Sequence, residues 1–219
     1  MRWFFRCFWL PFYRLWALRF VRSQRRFHQG RLRLTIPAGV FHPGIYFSTQ
    51  VFIRFLKTVD FRNKKVLDVG TGSGVLALFA AQGGACAAAL DINPKAVETA
   101  RRNAEDNGLF LQLWHSDLFA GVPPQTFDYF LINPPYYPQK PRNDVERAFF
   151  AGEQLEYFRH LFLQLPAYLS PAGRAWMILS EDCNLEKIQE LARLNRLQFE
   201  PVFERVKWGE RLFVFEIGR

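Results

Sequence analysis

Residues 65–75 read Lys65-Val66-Leu67-Asp68-Val69-Gly70-Thr71-Gly72-Ser73-Gly74-Val75, and the fold is decided there. A short β-rich run, Lys65 to Val69, stops at three closely spaced glycines. The apolar segment Val75 to Gln82 comes next, has helical character and ends at Gly83-Gly84. Glycine lets the backbone turn sharply and approach a ligand with no Cβ in the way. The dinucleotide fingerprint spaces its glycines Gly-x-Gly-x-x-Gly; the tighter Gly70-x-Gly72-x-Gly74 suits a nucleoside without a pyrophosphate.

The alternation of strand and helix continues downstream. Ala85 to Leu90 reads as a second buried strand, with Ala in place of branched residues. Pro94 suits the first turn of a helix reaching Asn107, and Gly108 ends it. Leu111 to His115 and Tyr129 to Ile132 read as further strands. Leu155, Phe158, Phe162 and Leu165 fall at helical spacing, predicting a helix from Glu153 to Leu165, ahead of Pro166. Arg174 to Leu179 is a strand and Leu185 to Leu194 a helix, and Phe199–Arg205 with Leu212–Ile217 closes as a hairpin about Trp208-Gly209. Such alternation predicts an α/β fold built on a doubly wound, mostly parallel sheet.

Ligands of such sheets bind at the carboxyl ends of the strands, and the residues there carry a pattern. Asp91 ends the second strand, 21 residues after Gly70, where an acid accepts hydrogen bonds from both ribose hydroxyls. Asp117, in Ser116-Asp117-Leu118-Phe119, comes after the third strand, at the place for an adenine amino group. Singly, these residues also read as turn glycines and helix caps; at consecutive strand ends they make a nucleoside site. After the fourth strand comes Asn133-Pro134-Pro135-Tyr136. Two prolines stiffen that turn and remove its donors, so its carbonyls are free to accept. The Asn133 side-chain carbonyl beside the Pro134 carbonyl can hold both N–H bonds of a planar amide or aromatic amine. Tyr136 offers a face for stacking. Catalysis by such a clamp is alignment of a poor nitrogen nucleophile and calls for no ordinary general base.

Other chemistries find little support. The four His (His28, His42, His115, His160) and three Cys (Cys7, Cys86, Cys183) make no metal-ligand spacing, and no metal is expected. Ser73 lacks the glycine two residues on that a hydrolase elbow requires. Widely separated cysteines fit a reducing, cytoplasmic setting.

With 219 residues, 49% of them hydrophobic, the chain has material for one sizeable domain. Its net charge of +9 is unevenly spread: residues 1–59 hold ten Arg, one Lys and no carboxylate, +11 in all, against −2 for the remainder. Residues 1–39 read as a basic, aromatic extension and 40–219 as the domain. The longest apolar run in the extension, Cys7 to Tyr13, is seven residues, far short of the roughly 20 that span a bilayer. After Pro11 a helix would gather Phe12, Trp16 and Phe20 on one side and Arg14, Arg22, Arg25 and Arg26 on the other. Such an element packs on its own domain or a second copy, or meets RNA, the ribosome or an anionic membrane surface.

From about Val40 onward the chain resembles a class I S-adenosylmethionine-dependent methyltransferase. It is most similar to the HemK-like branch, whose known members methylate a glutamine amide in translation release factors. Asp68 to Gly74 match that family's first motif, Asp91-Ile92-Asn93-Pro94 its second and Asn133 to Tyr136 its substrate clamp. Glu146-Arg147-Ala148-Phe149-Phe150-Ala151-Gly152 resembles the segment that lies after the clamp. The resemblance implies a seven-stranded sheet with an antiparallel last strand and S-adenosylmethionine as cofactor. It implies Asp68, Gly70, Thr71, Gly72, Ser73, Gly74, Asp91 and Asp117 as cofactor-binding residues, Asn133, Pro134 and Tyr136 as catalytic, and Asn133 to Tyr136, with Pro135, as substrate-binding. Two departures stand out. The extension is too short to replace the helical domain with which bacterial HemK enzymes grip a release factor. The segment Phe41 to Thr49 also lacks the acid usual there, leaving Ser48 and Thr49 as candidates for the cofactor carboxylate. The acceptor is expected to be a protein glutamine; the alternatives are an exocyclic amine of adenine or guanine in RNA or DNA, and a non-catalytic partner subunit of the same fold.

Overall fold

A computed structural model of the chain describes residues 24–44, 47–142, 144–207 and 209–219. A small hairpin, β1 (Arg25–Gln29) and β2 (Leu32–Ile36), is succeeded by α1 (Phe47–Leu56) and then by strand–helix alternation: β3 (Lys65–Val69), α2 (Val75–Gln82), β4 (Cys86–Asp91), α3 (Pro94–Asp106) and β5 (Gln112–His115). The second half holds β6 (Phe127–Ile132), α4 (Asp144–Arg147), α5 (Glu156–Tyr168), β7 (Leu169–Ser180), α6 (Leu185–Leu194), β8 (Gln198–Lys207) and β9 (Glu210–Gly218). Seven strands form one sheet in the order β5-β4-β3-β6-β7-β9-β8. Pairing is parallel from β5 through β7, and β9 runs antiparallel to both its neighbours.

Alternation along the central strands sorts the core into two layers. Leu67 and Val69 of β3 face the side covered by Phe158, Phe162 and Leu165 of α5 and by Ile188 and Leu191 of α6. Val66 faces the side covered by Phe52 and Leu56 of α1 and by Leu78 of α2. On that side β4 presents Ala87 and Ala89, opposite Ala77 and Ala80 of α2 and Ala96 and Ala104 of α3. Small residues on both partners let the helices lie close to the sheet, which is why the second strand can be built without branched side chains.

The first four strands of this sheet and the two helices between them, α2 and α3, fall within two residues of their sequence-read limits, whereas helix α5 is displaced by three. That helix starts at Glu156 rather than Glu153, because Gly152 and Leu155 adopt left-handed backbone, φ 91° and 59°. It also runs past Pro166, which stands in its final turn and ends at Tyr168. Strand β7 begins at Leu169, opposite Phe127, and reaches Arg174 only after an irregularity in pairing. Most of the helix read after Pro11 lies outside the described residues, as does Trp208 of the closing hairpin, but Arg25 and Arg26, read onto its basic side, stand in strand β1 instead, paired with Ile36 and Thr35.

The β1–β2 hairpin revises the boundary drawn at residue 39. Leu32, Leu34 and Ile36 are buried in the same cluster as Val40, Phe52 and Leu78, so residues 24–39 pack as part of the domain. The many Arg of that stretch hide a short inward-facing alternation. Two Asn side chains, Asn103 within α3 and Asn107 at its C-cap, fix the hairpin's edge. Asn107 accepts from Arg33 N–H at 2.9 Å and donates to its carbonyl at 2.7 Å. Asn103, fully buried, accepts from Thr35 N–H at 2.8 Å and donates to the Ser73 carbonyl at 2.9 Å. It thus ties the hairpin to the glycine turn. Asn103→Ala leaves two polar groups unpaired and is expected to lower unfolding free energy by about 2–4 kcal/mol, read from urea titration; a loss under about 0.5 kcal/mol contradicts the role.

Candidate active site

The chain leaves β3 for β4 and β5 on one side, then returns to place β6 on the other. The crevice of an open α/β sheet forms at such a switch point. Here the glycine turn leaves the end of β3 and the Asn133–Tyr136 segment leaves the end of β6. Gly70 and Gly72 have φ of 76° and 56°, left-handed backbone that glycine adopts at little cost. Both Gly70 and Thr71 donate their N–H to the Leu90 carbonyl at 3.0 Å, so the turn is fastened to β4. Gly74, φ 85°, serves packing: a Cβ there would lie 3.0 Å from Ala100 Cβ of α3.

Two carboxylates organise the turn from beneath. Asp68 is buried, and its Oδ2 accepts from Thr71 Oγ1 at 2.6 Å and from Ala77 N–H at 3.2 Å. It therefore does for the first turn of α2 what an N-cap side chain does elsewhere. Its Oδ1 has no partner among the described residues, and burial pushes its pKa up to about 7. Asp91 Oδ2 accepts from Gly72 N–H at 2.8 Å, and Oδ1 accepts from Asn93 N–H at 2.9 Å. Burial raises the Asp91 pKa, while those two backbone donors act in the opposite sense. Each oxygen retains a lone pair for a further donor. Asn93 caps α3 by accepting from Lys95 N–H at 3.0 Å, with Pro94 at the first helical position.

The fourth-strand segment is braced from α1. Asn133 Nδ2 donates to Thr49 Oγ1 at 3.3 Å, an orientation that leaves Oδ1 as the free acceptor. Thr49 is buried to 2% exposure, so the brace is held by packing as well. Tyr136 packs against the core, its ring 4.9 Å from that of Tyr137. Tyr137 is joined to the segment before α5: its N–H donates to the Phe149 carbonyl and its carbonyl accepts from Ala151 N–H. Phe149 in turn meets Phe41, ring centroids 6.0 Å apart.

These segments meet at one cavity of about 590 Å³, within the range of small-molecule sites. Gly70 to Ser73, Asp91, Asp117 and the whole of Asn133 to Tyr136 line it, as do Ser48 and Thr49. Asp68 and Gly74 do not: one lies under the turn and the other against α3. The sequence places both among the cofactor-binding residues; in the structure they shape the turn. The sequence offers Thr49 for the cofactor carboxylate but gives no sign of its bond to Asn133, which joins residues 84 apart. Phe41, which also lines the cavity, carries no sequence signal of that role.

A seven-stranded sheet of this order with a glycine turn, a strand-end acid and an Asn-Pro-Pro-Tyr segment on one cavity defines a class I methyltransferase fold. Residues 31–205 match the family model of the methyltransferase small domain. The chain belongs to that family. The donor of this class is S-adenosylmethionine, and the residues present fit it: acceptor oxygens on Asp91 and Asp117, and a turn without side chains at Gly70 and Gly72. Among relatives, a protein N5-glutamine methyltransferase of Methanocaldococcus jannaschii is 36% identical over 139 residues, 60% of this chain and 70% of that protein. A release factor glutamine methyltransferase of Rhodospirillum rubrum is 39% identical over 122 residues, 50% of this chain but 38% of its own length. Among solved structures, a Thermus thermophilus 16S rRNA N2 G1207 methyltransferase, bound to AdoMet and guanosine, superposes with a TM-score of 0.62 at 22% identity, over 90% of this chain and 50% of that one.

Two outcomes are expected from the geometry. Thr49→Val releases the Asn133 amide from its fixed orientation, lowering methyl-transfer kcat about ten- to a hundred-fold. Cofactor affinity stays within about two-fold by titration calorimetry, and Thr49→Ser restores the rate. Asp68, with its folded pKa near 7 against an ordinary 3.8, binds more protons folded than unfolded between those values. Its contribution is therefore unfavourable as pH rises from about 4 to 7, by roughly 3–4 kcal/mol at the top of that window. Asp68→Asn keeps an acceptor for Thr71 and Ala77. The difference in unfolding free energy between the variant and the parent should thus grow in the variant's favour across that range.

Proposed function

We propose that the chain transfers a methyl group from S-adenosylmethionine to the side-chain amide nitrogen of a glutamine, in a release factor or ribosomal protein. The carrying observation is that the Asn133-Pro134-Pro135-Tyr136 segment borders the same cavity as the glycine turn and Asp91. The M. jannaschii relative, named as a glutamine methyltransferase, supports the choice of acceptor, and so does the release factor enzyme of R. rubrum.

In this reading Asp91 takes the ribose hydroxyls and Asp117 the adenine amino group. Asn133 Oδ1 and the Pro134 carbonyl accept the two N–H bonds of the glutamine amide, and Tyr136 stacks on its plane. The bound donor supplies an electrophilic methyl group; the protein supplies direction. An amide lone pair is spread into its carbonyl, and fixing both hydrogens turns what remains toward the cavity. No general base is built into the clamp. The nitrogen's acidity rises as it acquires the methyl, and an acceptor carbonyl suffices to hold the proton until it departs. Cytoplasmic action on the translation machinery accords with the basic N-terminal segment, whose Arg residues would meet ribosomal RNA. Among the described residues no helix is long and apolar enough to cross a membrane.

Incubation of a cell extract with methyl-labelled cofactor tests the acceptor. Label is expected in protein, recovered after exhaustive enzymatic digestion as N5-methylglutamine, or as methylamine after acid hydrolysis; label in RNA moves the activity to an exocyclic base amine, which the same clamp can hold. Asn133→Ala is expected to abolish transfer, with cofactor affinity nearly intact. No incorporation by the parent protein, together with no cofactor binding, would point to a non-catalytic subunit.

A further inference from the structure

Tyr157 is the one described residue with an unpartnered buried hydroxyl on the cavity wall. Its Oη is shielded from water and has no hydrogen-bond partner, while the residue lines the same cavity as Asp91 and Asp117. Buried hydroxyls ordinarily find a partner, so one that does not asks for an explanation. The backbone before it is set in an uncommon conformation. Gly152 and Leu155 both have positive φ, 91° and 59°, and Leu155 is the residue that caps α5. At Gly152 the φ of 91° itself disfavours any other residue, and the Glu156 side chain fills the space a Cβ would take. Tyr157 N–H then donates to the Ala151 carbonyl at 3.0 Å, and its ring packs edge-on to Phe158 at 5.5 Å. A left-handed leucine costs free energy that a regular helix start would not. Its effect here is to present the Tyr157 ring to the cavity from the first turn of a helix whose other face is core.

We propose that the Tyr157 hydroxyl is a positioning group for the nucleoside half of the cofactor, receiving its hydrogen-bond partner from a polar edge of the adenosine. This rests on the reading of the cavity as an S-adenosylmethionine site. The nucleoside half is chosen because Tyr157 lines the cavity together with Asp91 and Asp117; the charges of these two and of Asp68, at the ends of β4, β5 and β3, also bear on the phenol. Asp91 and Asp117 stand at the positions assigned to ribose and adenine. Burial, with those negative charges added to it, raises the phenol's pKa, so it stays protonated and acts as a donor. Oη is shielded as the side chain stands, so this contact requires the side chain to turn about its Cα–Cβ bond as the ligand binds.

Tyr157→Phe keeps the ring and removes only the hydroxyl, and its effects separate this role from a structural one. Without ligand, the variant should melt about 2–4 °C higher than the parent, because an unpaired buried hydroxyl is gone. Its affinity for S-adenosylhomocysteine and for adenosine should both fall about five- to ten-fold by calorimetry, with kcat at saturating cofactor changed less than about two-fold. A lower melting temperature overturns the proposal, since the hydroxyl would then have a partner in the protein. Unchanged S-adenosylhomocysteine affinity also overturns it, as does a loss for S-adenosylhomocysteine that adenosine does not share. If the parent protein binds neither ligand, the cofactor reading of the cavity itself has failed, and with it the basis of this one.

Discussion

Val69 stands opposite Leu90 on one side and Ile132 on the other, in parallel register with both. The three strands therefore finish level, and the segments that leave them open into the same crevice. Those segments are the glycine turn after β3, the Asp91 end of β4 and Asn133 after β6. A slip of one residue in either pairing would turn every side chain of the slipped strand to the opposite layer, so the register is held by both cores. The turn is then fastened by backbone bonds to Leu90 and by Gly72 N–H to Asp91. Asp91 and the glycine turn are thus one hydrogen-bonded unit, and little ordering cost is left to the binding of a ligand there.

Two residues of the first motif illustrate how a motif mixes binding with support. Asp68 and Gly74 frame the turn in sequence yet do not border the cavity. Gly74 permits α3 to approach, because only hydrogen fits against Ala100. Asp68 joins strand end, turn and helix start through Thr71 and Ala77. An acid held almost without water, with one oxygen unpaired, is an unfavourable element for stability at neutral pH. Its position at the centre of the turn shows that shape there outweighs that cost.

Local signals made most of the sheet legible. Glycine, proline and Asn mark the limits of β3, α2, β4 and α3, and these elements end close to where those residues stand. The Asn-Pro-Pro-Tyr segment was legible for the same reason: its stiffness is a property of adjacent residues. The features that escaped depend on distance in sequence. Thr49 meets Asn133 across 84 residues, and Asn103 meets Ser73 across 30. The inward face of the hairpin was obscured because its Leu and Ile residues alternate with Arg in a stretch rich in charge. Asn103 does carry a faint signal, a polar residue on the face of α3 that otherwise buries Ala96, Ala100 and Ala104. The true start of α5 was hidden by Leu155, a residue that gives no warning of left-handed backbone.

The clamp also explains why acceptor choice is made elsewhere in the molecule. Two carbonyl acceptors and an aromatic face recognise a flat group bearing two N–H bonds, and an amide and an exocyclic amine satisfy them equally. Discrimination requires contacts that only one of them makes. Beyond the clamp, Tyr137, Lys140 and Phe149 border the cavity, and on the proposed reading such residues would supply those contacts. Phe27 of the hairpin packs against His42, one residue from Phe41 on the cavity wall, so the hairpin adjoins that wall. Charges such as those of its Arg residues steer and hold a partner over a Debye length of about 8 Å without reading its chemistry. On the proposed reading the clamp would take the amide of a protein acceptor, and the Arg residues of the hairpin an anionic neighbour of it. In that arrangement the charge asymmetry of the chain and the neutrality of the clamp are parts of one division of labour.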